Sequence, residues 1–148
     1  MSRNVRTSSI TIAASPETIF AIIANPYRHH QFDGSNSIEG VVDGPKHLSL
    51  GDHFEVRMHT AQVLRYKAKN TVVEYEKNRL IAWKNQGPQI WRYEIAPQAD
   101  GTSTVAETCD YGPWGPFAGI ARWLGRTDQH SIEASLPRLK TLAEAEQA

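Results

Sequence analysis

The feature that most constrains this chain is a change of hydrophobic period near residue 112. From Ile38 to Tyr111 apolar and polar residues alternate in short runs broken by turn residues, the pattern of half-buried antiparallel strands. After Gly112-Pro113-Trp114-Gly115-Pro116 the period becomes helical. Phe117, Ile120 and Leu124, then Ile132, Leu136, Leu139 and Ala143, recur at three- and four-residue steps as far as Glu144. A sheet of this kind must bury one face, and the terminal helix is the only element long enough to cover it. Drawn straight, that helix spans roughly 40 Å at 1.5 Å per residue. Pro137 predicts a kink in it, and Gly119 and Gly125 weaken its first turns.

The segment before residue 38 supplies the remaining elements. Val5 to Ala13 reads as a strand with Ile10 and Ile12 on one face. Ser15-Pro16-Glu17 starts a helix, with Ser15 as N-cap, Pro16 at the first helical position and Glu17 at the positive end of the dipole. Ile19, Phe20, Ile22 and Ile23 give that helix a buried face. Asn25-Pro26 ends it and caps a second short helix through Tyr27, His29, His30 and Phe32. Asp33-Gly34-Ser35 is a turn. Further strands are expected at Ser37–Val42, Asp52–Thr60, Asn70–Glu76, Leu80–Asn85, Gln89–Ala96 and Thr102–Tyr111. Ala61–Lys69 either continues a long hairpin or forms an exposed excursion. The expected fold is α+β: an antiparallel sheet of six to seven strands around a long C-terminal helix, with two short helices after the first strand. At 148 residues a single domain over 1–148 is expected.

Composition removes several classes of function. Sixteen Lys+Arg balance sixteen Asp+Glu, so the chain as a whole carries no field to attract nucleic acid or anionic lipid. The one cysteine, Cys109, excludes an internal disulfide and a multi-cysteine zinc site. The N-terminus lacks an uninterrupted apolar stretch, and no segment approaches the ~20 apolar residues of a membrane span. The expectation is a cytoplasmic protein without integral membrane contact, with its oligomeric state open. Walker, Rossmann and nucleophile-elbow patterns are absent, and no cofactor is expected. The six histidines do not cluster: His53 and His59 lie about 20 Å apart along one strand face, and His29 and His30 diverge by about 100° on a helix. No metal is expected.

Three stretches carry a family resemblance: "ITIAASPETIFAIIANPYRHHQFD", "NTVVEYEKNRLIAWKN" and "IWRYEIAPQADGTSTVAETCDY". With them the chain resembles the START/Bet v 1-like superfamily, in particular its bacterial polyketide cyclase/dehydrase-like branch. The resemblance implies a helix-grip fold holding a hydrophobic ligand between sheet and C-terminal helix. It implies no reaction and carries over no catalytic set, because the superfamily is similar in shape across cyclases, lipid carriers, hormone-binding proteins and chaperone-type modules.

Strand parity then sorts the side chains. Phe54, Val56 and Met58, Val73 and Tyr75, Ile81 and Trp83, and Trp91, Tyr93 and Ile95 point inward. These aromatics either fill the core or line a cavity for a flat apolar molecule, with Tyr111, Ile120 and Leu124 as further lining. Parity also puts Glu107 inward beside Trp91 and Tyr93, unless a bulge flips the register and exposes it or the carboxylate simply pairs locally with an Arg or Tyr. A buried carboxyl group is costly to ionise and could serve as an acid or base. The second helix, with His30 and Asp33, and the loop bearing Trp114 are expected to frame a ligand portal. His30 and Asp33 either pair, or Asp33 simply starts a turn. Two functions stay in view, and a third, a protein-binding module, would need an exposed apolar patch and a filled interior. The first is binding of a hydrophobic or aromatic, lipid- or polyketide-like molecule. The second is a cofactor-independent cyclase, aromatase or dehydrase using Glu107.

Overall fold

A computed structural model describes residues 4–60, 64–85 and 87–148. Among these residues one antiparallel sheet contains β1 (Val5–Ile12), β2 (Ile38–Asp43), β3 (His53–Thr60), β4 (Leu64–Glu76), β5 (Leu80–Lys84), β6 (Ile90–Pro97) and β7 (Ser103–Asp110). The strand order is β1-β7-β6-β5-β4-β3-β2, so the first strand closes one edge by pairing with the last. Four α-helices accompany it: α1 (Pro16–Ile23), α2 (His29–Phe32), α3 (Ala118–Leu124) and α4 (Asp128–Gln147). The fold is α+β, and its architecture is the helix-grip type.

Local chemistry accounts for the element ends. Ser15 Oγ accepts a hydrogen bond from the Thr18 amide at 3.2 Å, and Asn25 Oδ1 accepts from the Tyr27 amide at 3.0 Å. The second cap opens a 3₁₀ turn, Pro26–Arg28, that runs into α2. At the β4–β5 turn Asn78 adopts φ 65°, a left-handed conformation that asparagine tolerates well.

One open alternative is resolved and two expectations are corrected. Leu64 to Lys69 extend β4, so the hairpin is long; residues 61–63 lie outside the described residues. The register of β4 on β5 shifts between Val72 and Glu74. Val72 therefore faces the core, Val73 becomes the bulged residue, and Tyr75 still points inward, edge-on to Phe20 with ring centroids 5.7 Å apart. The single long helix is two helices separated at Gly125. A Cβ on Gly125 would fall 3.1 Å from Tyr111 Cε1 and closer still to its hydroxyl and the Asp128 carboxylate. The break thus makes room for a half-buried Tyr111–Asp128 hydrogen bond. α4 runs without interruption through Pro137.

α4 lies mainly over β1 and β7 and also touches α1 and α2. Ile132, Leu136, Leu139 and Ala143 meet Ile12, Val105 and the buried face of α1 there. α2 reaches α4 and β2. Gly34, just after α2, sits flush on α4: a Cβ would overlap the Ser131 carbonyl and lie 2.7 Å from the Ser135 nitrogen. Its amide donates to Ser135 Oγ at 2.7 Å. Only a residue without a side chain fits this approach.

Candidate functional site

Because α4 covers the β1–β7 side, the inner face of β3 to β6 is left to α1, which packs on β6, and to α2, whose His29 and Phe32 lie on Phe54, Trp83 and Tyr93. A cavity of about 310 Å³ remains there. Register sets the inward side chains in two rows across the strands, Ile81, Tyr93 and Glu107 in one and Trp83, Trp91 and Cys109 in the next; of these Tyr93, Glu107, Trp83 and Trp91 reach the cavity. Phe54, Met58, Trp83, Trp91, Tyr93 and Glu107 line it from the sheet, Asp33 from the loop, and Thr127, Asp128 and Ser131 from the start of α4.

Glu107 is 1 % exposed. Its Oε2 accepts a hydrogen bond from Trp91 Nε1 at 2.8 Å, and its Oε1 has no hydrogen-bond partner. Burial pushes the carboxyl up to about 8; the Tyr93 phenol and the Trp91 indole oppose the rise, and the Asp33 charge adds to it. At neutral pH the group is mostly a neutral acid with one oxygen unengaged. Burial, reinforced by Glu107, also raises Tyr93 well above the usual phenol range.

His29 stands on the same cavity and was not singled out by the sequence. Its Nε2 donates to the Ile23 carbonyl at 2.7 Å, since a carbonyl can only accept, so Nδ1 carries the lone pair. The ring stacks on Trp83 at 5.0 Å between centroids and 19° between planes, with Phe32 and Phe54 edge-on at 5.6 and 5.5 Å. Burial lowers its pKa to about 4, partly offset by the hydrogen bond to Ile23. The imidazole is therefore neutral at pH 7. Spacing could have found it: on a helix that buries Phe32, the residue three positions earlier shares the face, which selects His29 over His30.

Other expected site residues lie elsewhere. His30 is exposed and does not pair with Asp33, whose carboxylate accepts from the Ser35 hydroxyl at 2.8 Å and the Ser37 amide at 3.1 Å, organising the turn. Tyr75 packs on Phe20 away from the cavity wall. Tyr111 is buried behind it, donating to Asp128. Trp114 donates from Nε1 to Gln89 Oε1 at 2.9 Å; Gln89 is on the wall and Trp114 behind it. Ile120 and Leu124 point out to solvent, 61 % and 65 % exposed, because α3 buries its Ala118 and Ala121 side instead. Cys109 is buried and its thiol is pushed up to about 12 by desolvation, which leaves it unreactive at neutral pH. Among the described residues no three His, Cys, Asp or Glu side chains converge to hold a metal ion, and no helix is long and apolar enough to cross a membrane.

A seven-stranded sheet gripping a terminal helix beside an aromatic-walled cavity defines a helix-grip protein. Residues 5–144 match the family described as polyketide cyclase/dehydrase and lipid transport, and the chain belongs to that family. It is 29% identical over 136 residues to the uncharacterized protein Rv0088 of Mycobacterium tuberculosis (strain ATCC 25618 / H37Rv), covering 88% of this chain and 60% of that one. The chain thus spans about 60% of the length of the curated relatives it matches. Among solved structures, protein NE0264 of Nitrosomonas europaea superposes with a TM-score of 0.75 at 12% identity, covering 99% of this chain and 98% of that one. The di-domain ARO/CYC StfQ from the steffimycin biosynthetic pathway gives a TM-score of 0.69 at 13% identity, over 96% of this chain and 51% of that one. At these identities both likenesses concern the fold.

Proposed function

We propose that this chain binds a flat hydrophobic or aromatic small molecule, polyketide- or lipid-like, that carries a hydrogen-bond acceptor such as a carbonyl. One observation carries the reading: an aromatic-walled cavity of about 310 Å³ holds a buried carboxyl group with one unpartnered oxygen. The volume is at the small end of the range of about 300–1,000 Å³ usual for ligand pockets. Trp83, Trp91 and Phe54 supply stacking and edge contacts to a planar ring system, and neutral Glu107 supplies a proton donor that fixes its orientation. Membership of a family described by cyclisation, dehydration and lipid transport supports an apolar ligand. The purified protein should yield such a compound on extraction or by native mass spectrometry. A panel of polyaromatic ketones should raise its melting temperature; no shift with any of them counts against the reading.

A second reading, a cofactor-independent cyclase or dehydrase, is favoured by the same carboxyl group. A neutral acid in an apolar cavity can protonate a carbonyl oxygen as an enol forms, or a hydroxyl as it departs. His29 lines the same cavity, and its Nδ1 is not used by the hydrogen bond to Ile23. Glu107→Gln separates the two readings: it retains apolar ligand binding in both, and abolishes turnover only if the acid is used.

A further inference from the structure

The side chains the helical period set aside for the cavity form a surface instead. Ile120, Trp123 and Leu124 are 61–65 % exposed and fall within about 100° of arc on α3 at 100° per residue. Phe117, 62 % exposed, precedes them directly. The charge around them is one-signed. Residues 111–127 include Arg122 and Arg126 and no Asp or Glu, so whole-chain neutrality hides a local cationic excess. The Arg126 guanidinium lies over the Trp123 ring, 4.5 Å from its centroid. Among the described residues neither arginine makes an ion pair. The flanking acids are engaged elsewhere: Asp128 accepts from Tyr111, and Asp110 accepts from the Gly112 amide and faces Arg92 at 3.6 Å.

We infer that the α3 surface, with Phe117, Ile120, Trp123 and Leu124 flanked by Arg122 and Arg126, docks on the face of an anionic lipid bilayer. Apolar and aromatic side chains reach past the headgroups while guanidinium groups stay among the phosphates, the arrangement of interfacial helices. A second copy of the chain fits less well. A two-fold contact sets a patch against itself, which would gather four guanidinium groups with no acid from this segment to pair with them. The patch adjoins the cavity, since Thr127 and Asp128, just past Gly125 and Arg126 at the end of α3, line it, but the inference holds whatever the cavity contains.

The test is flotation of the full chain with phosphatidylcholine vesicles, with and without phosphatidylglycerol. Binding is expected only with the anionic lipid, falling as salt screens the arginines. Trp123→Ser and Leu124→Ser should each weaken it by about tenfold or more, and Arg126→Gln by roughly fivefold. Leu50→Ser removes an equally exposed leucine (64 %) outside the patch and should leave binding unchanged. The inference is overturned by absence of flotation at low salt, or by equal losses in Leu50→Ser and Leu124→Ser. It is also overturned by a dimer in sedimentation velocity that Leu124→Ser dissolves, which would assign the surface to a second copy.

Discussion

The two ends of the sheet's inner face are built on opposite terms. Over β1 and β7, α4 presses Ile132, Leu136 and Leu139 onto Ile12 and Val105, all buried and all aliphatic. Over β3 to β6 the four-residue α2 lays His29 and Phe32 on Phe54, Trp83 and Tyr93, with α1 packed on β6 beside it, and the wall is aromatic with a carboxyl group, an imidazole and space. The packed end contributes stability by excluding water from side chains that need nothing else. The open end retains groups whose charged forms burial disfavours, Glu107 and His29.

Deletion in the packed end should have the largest effect on folding. Leu139→Ala removes a fully buried side chain and is expected to cost about 2–5 kcal/mol in urea unfolding, with ligand affinity unchanged. A comparable loss of affinity would mean that the two ends are one unit.

Next comes the pH dependence of the open end. Glu107 titrates near 8 folded and near 4.5 unfolded. Below 4.5 both states hold the proton and the group contributes nothing. Above it the unfolded chain releases the proton first, so stability falls by about 1.4 kcal/mol per pH unit until about pH 8 and then levels. Glu107→Gln should remove that slope, and melting curves from pH 6 to 9 would show it. A parallel pair of curves would mean that Glu107 reaches water.

His29 has the opposite sign. Its folded pKa, about 4, is below the unfolded 6.5, so it costs stability as pH falls from 6.5 towards 4 and nothing above. In a Glu107→Gln background, on top of the acid-side loss from carboxylates such as Glu74, the His29 contribution should stand free of the opposing Glu107 slope, at up to about 1.4 kcal/mol per unit. His29→Phe, which keeps a ring on Trp83, should flatten it.

The smallest effect belongs to α3. Ile120→Ser replaces a side chain that faces solvent, and its unfolding free energy should stay within about 0.5 kcal/mol of wild type. A loss of core size would return Ile120 to the cavity.

What could be read from the sequence follows from where local pattern determines environment. On β6 and β7 the register runs unbroken from Ile90 opposite Asp110 to Pro97 opposite Ser103, so alternation alone sets Glu107 beside Trp91 and Tyr93. On β4 the bulge at Val73 ends that argument, and parity chose Val73 where Val72 is buried. In α3 the period was right but the buried side was not. Periodicity says that a helix has an apolar stripe, and only its neighbours decide whether the stripe is covered. Gly34 read as an ordinary turn residue because its contact partner, α4, lies about a hundred positions away in the chain.

The bond from Trp91 to Glu107 has an optical consequence. Indole emission responds to the charge and polarity at its nitrogen, and Trp91 Nε1 touches the one oxygen through which this carboxyl group is held. Ionisation of Glu107 should therefore shift or quench Trp91 emission with a midpoint near pH 8, absent in Trp91→Phe. A ligand that engages the other oxygen would move that midpoint, so the protein carries its own indicator for whatever enters the cavity.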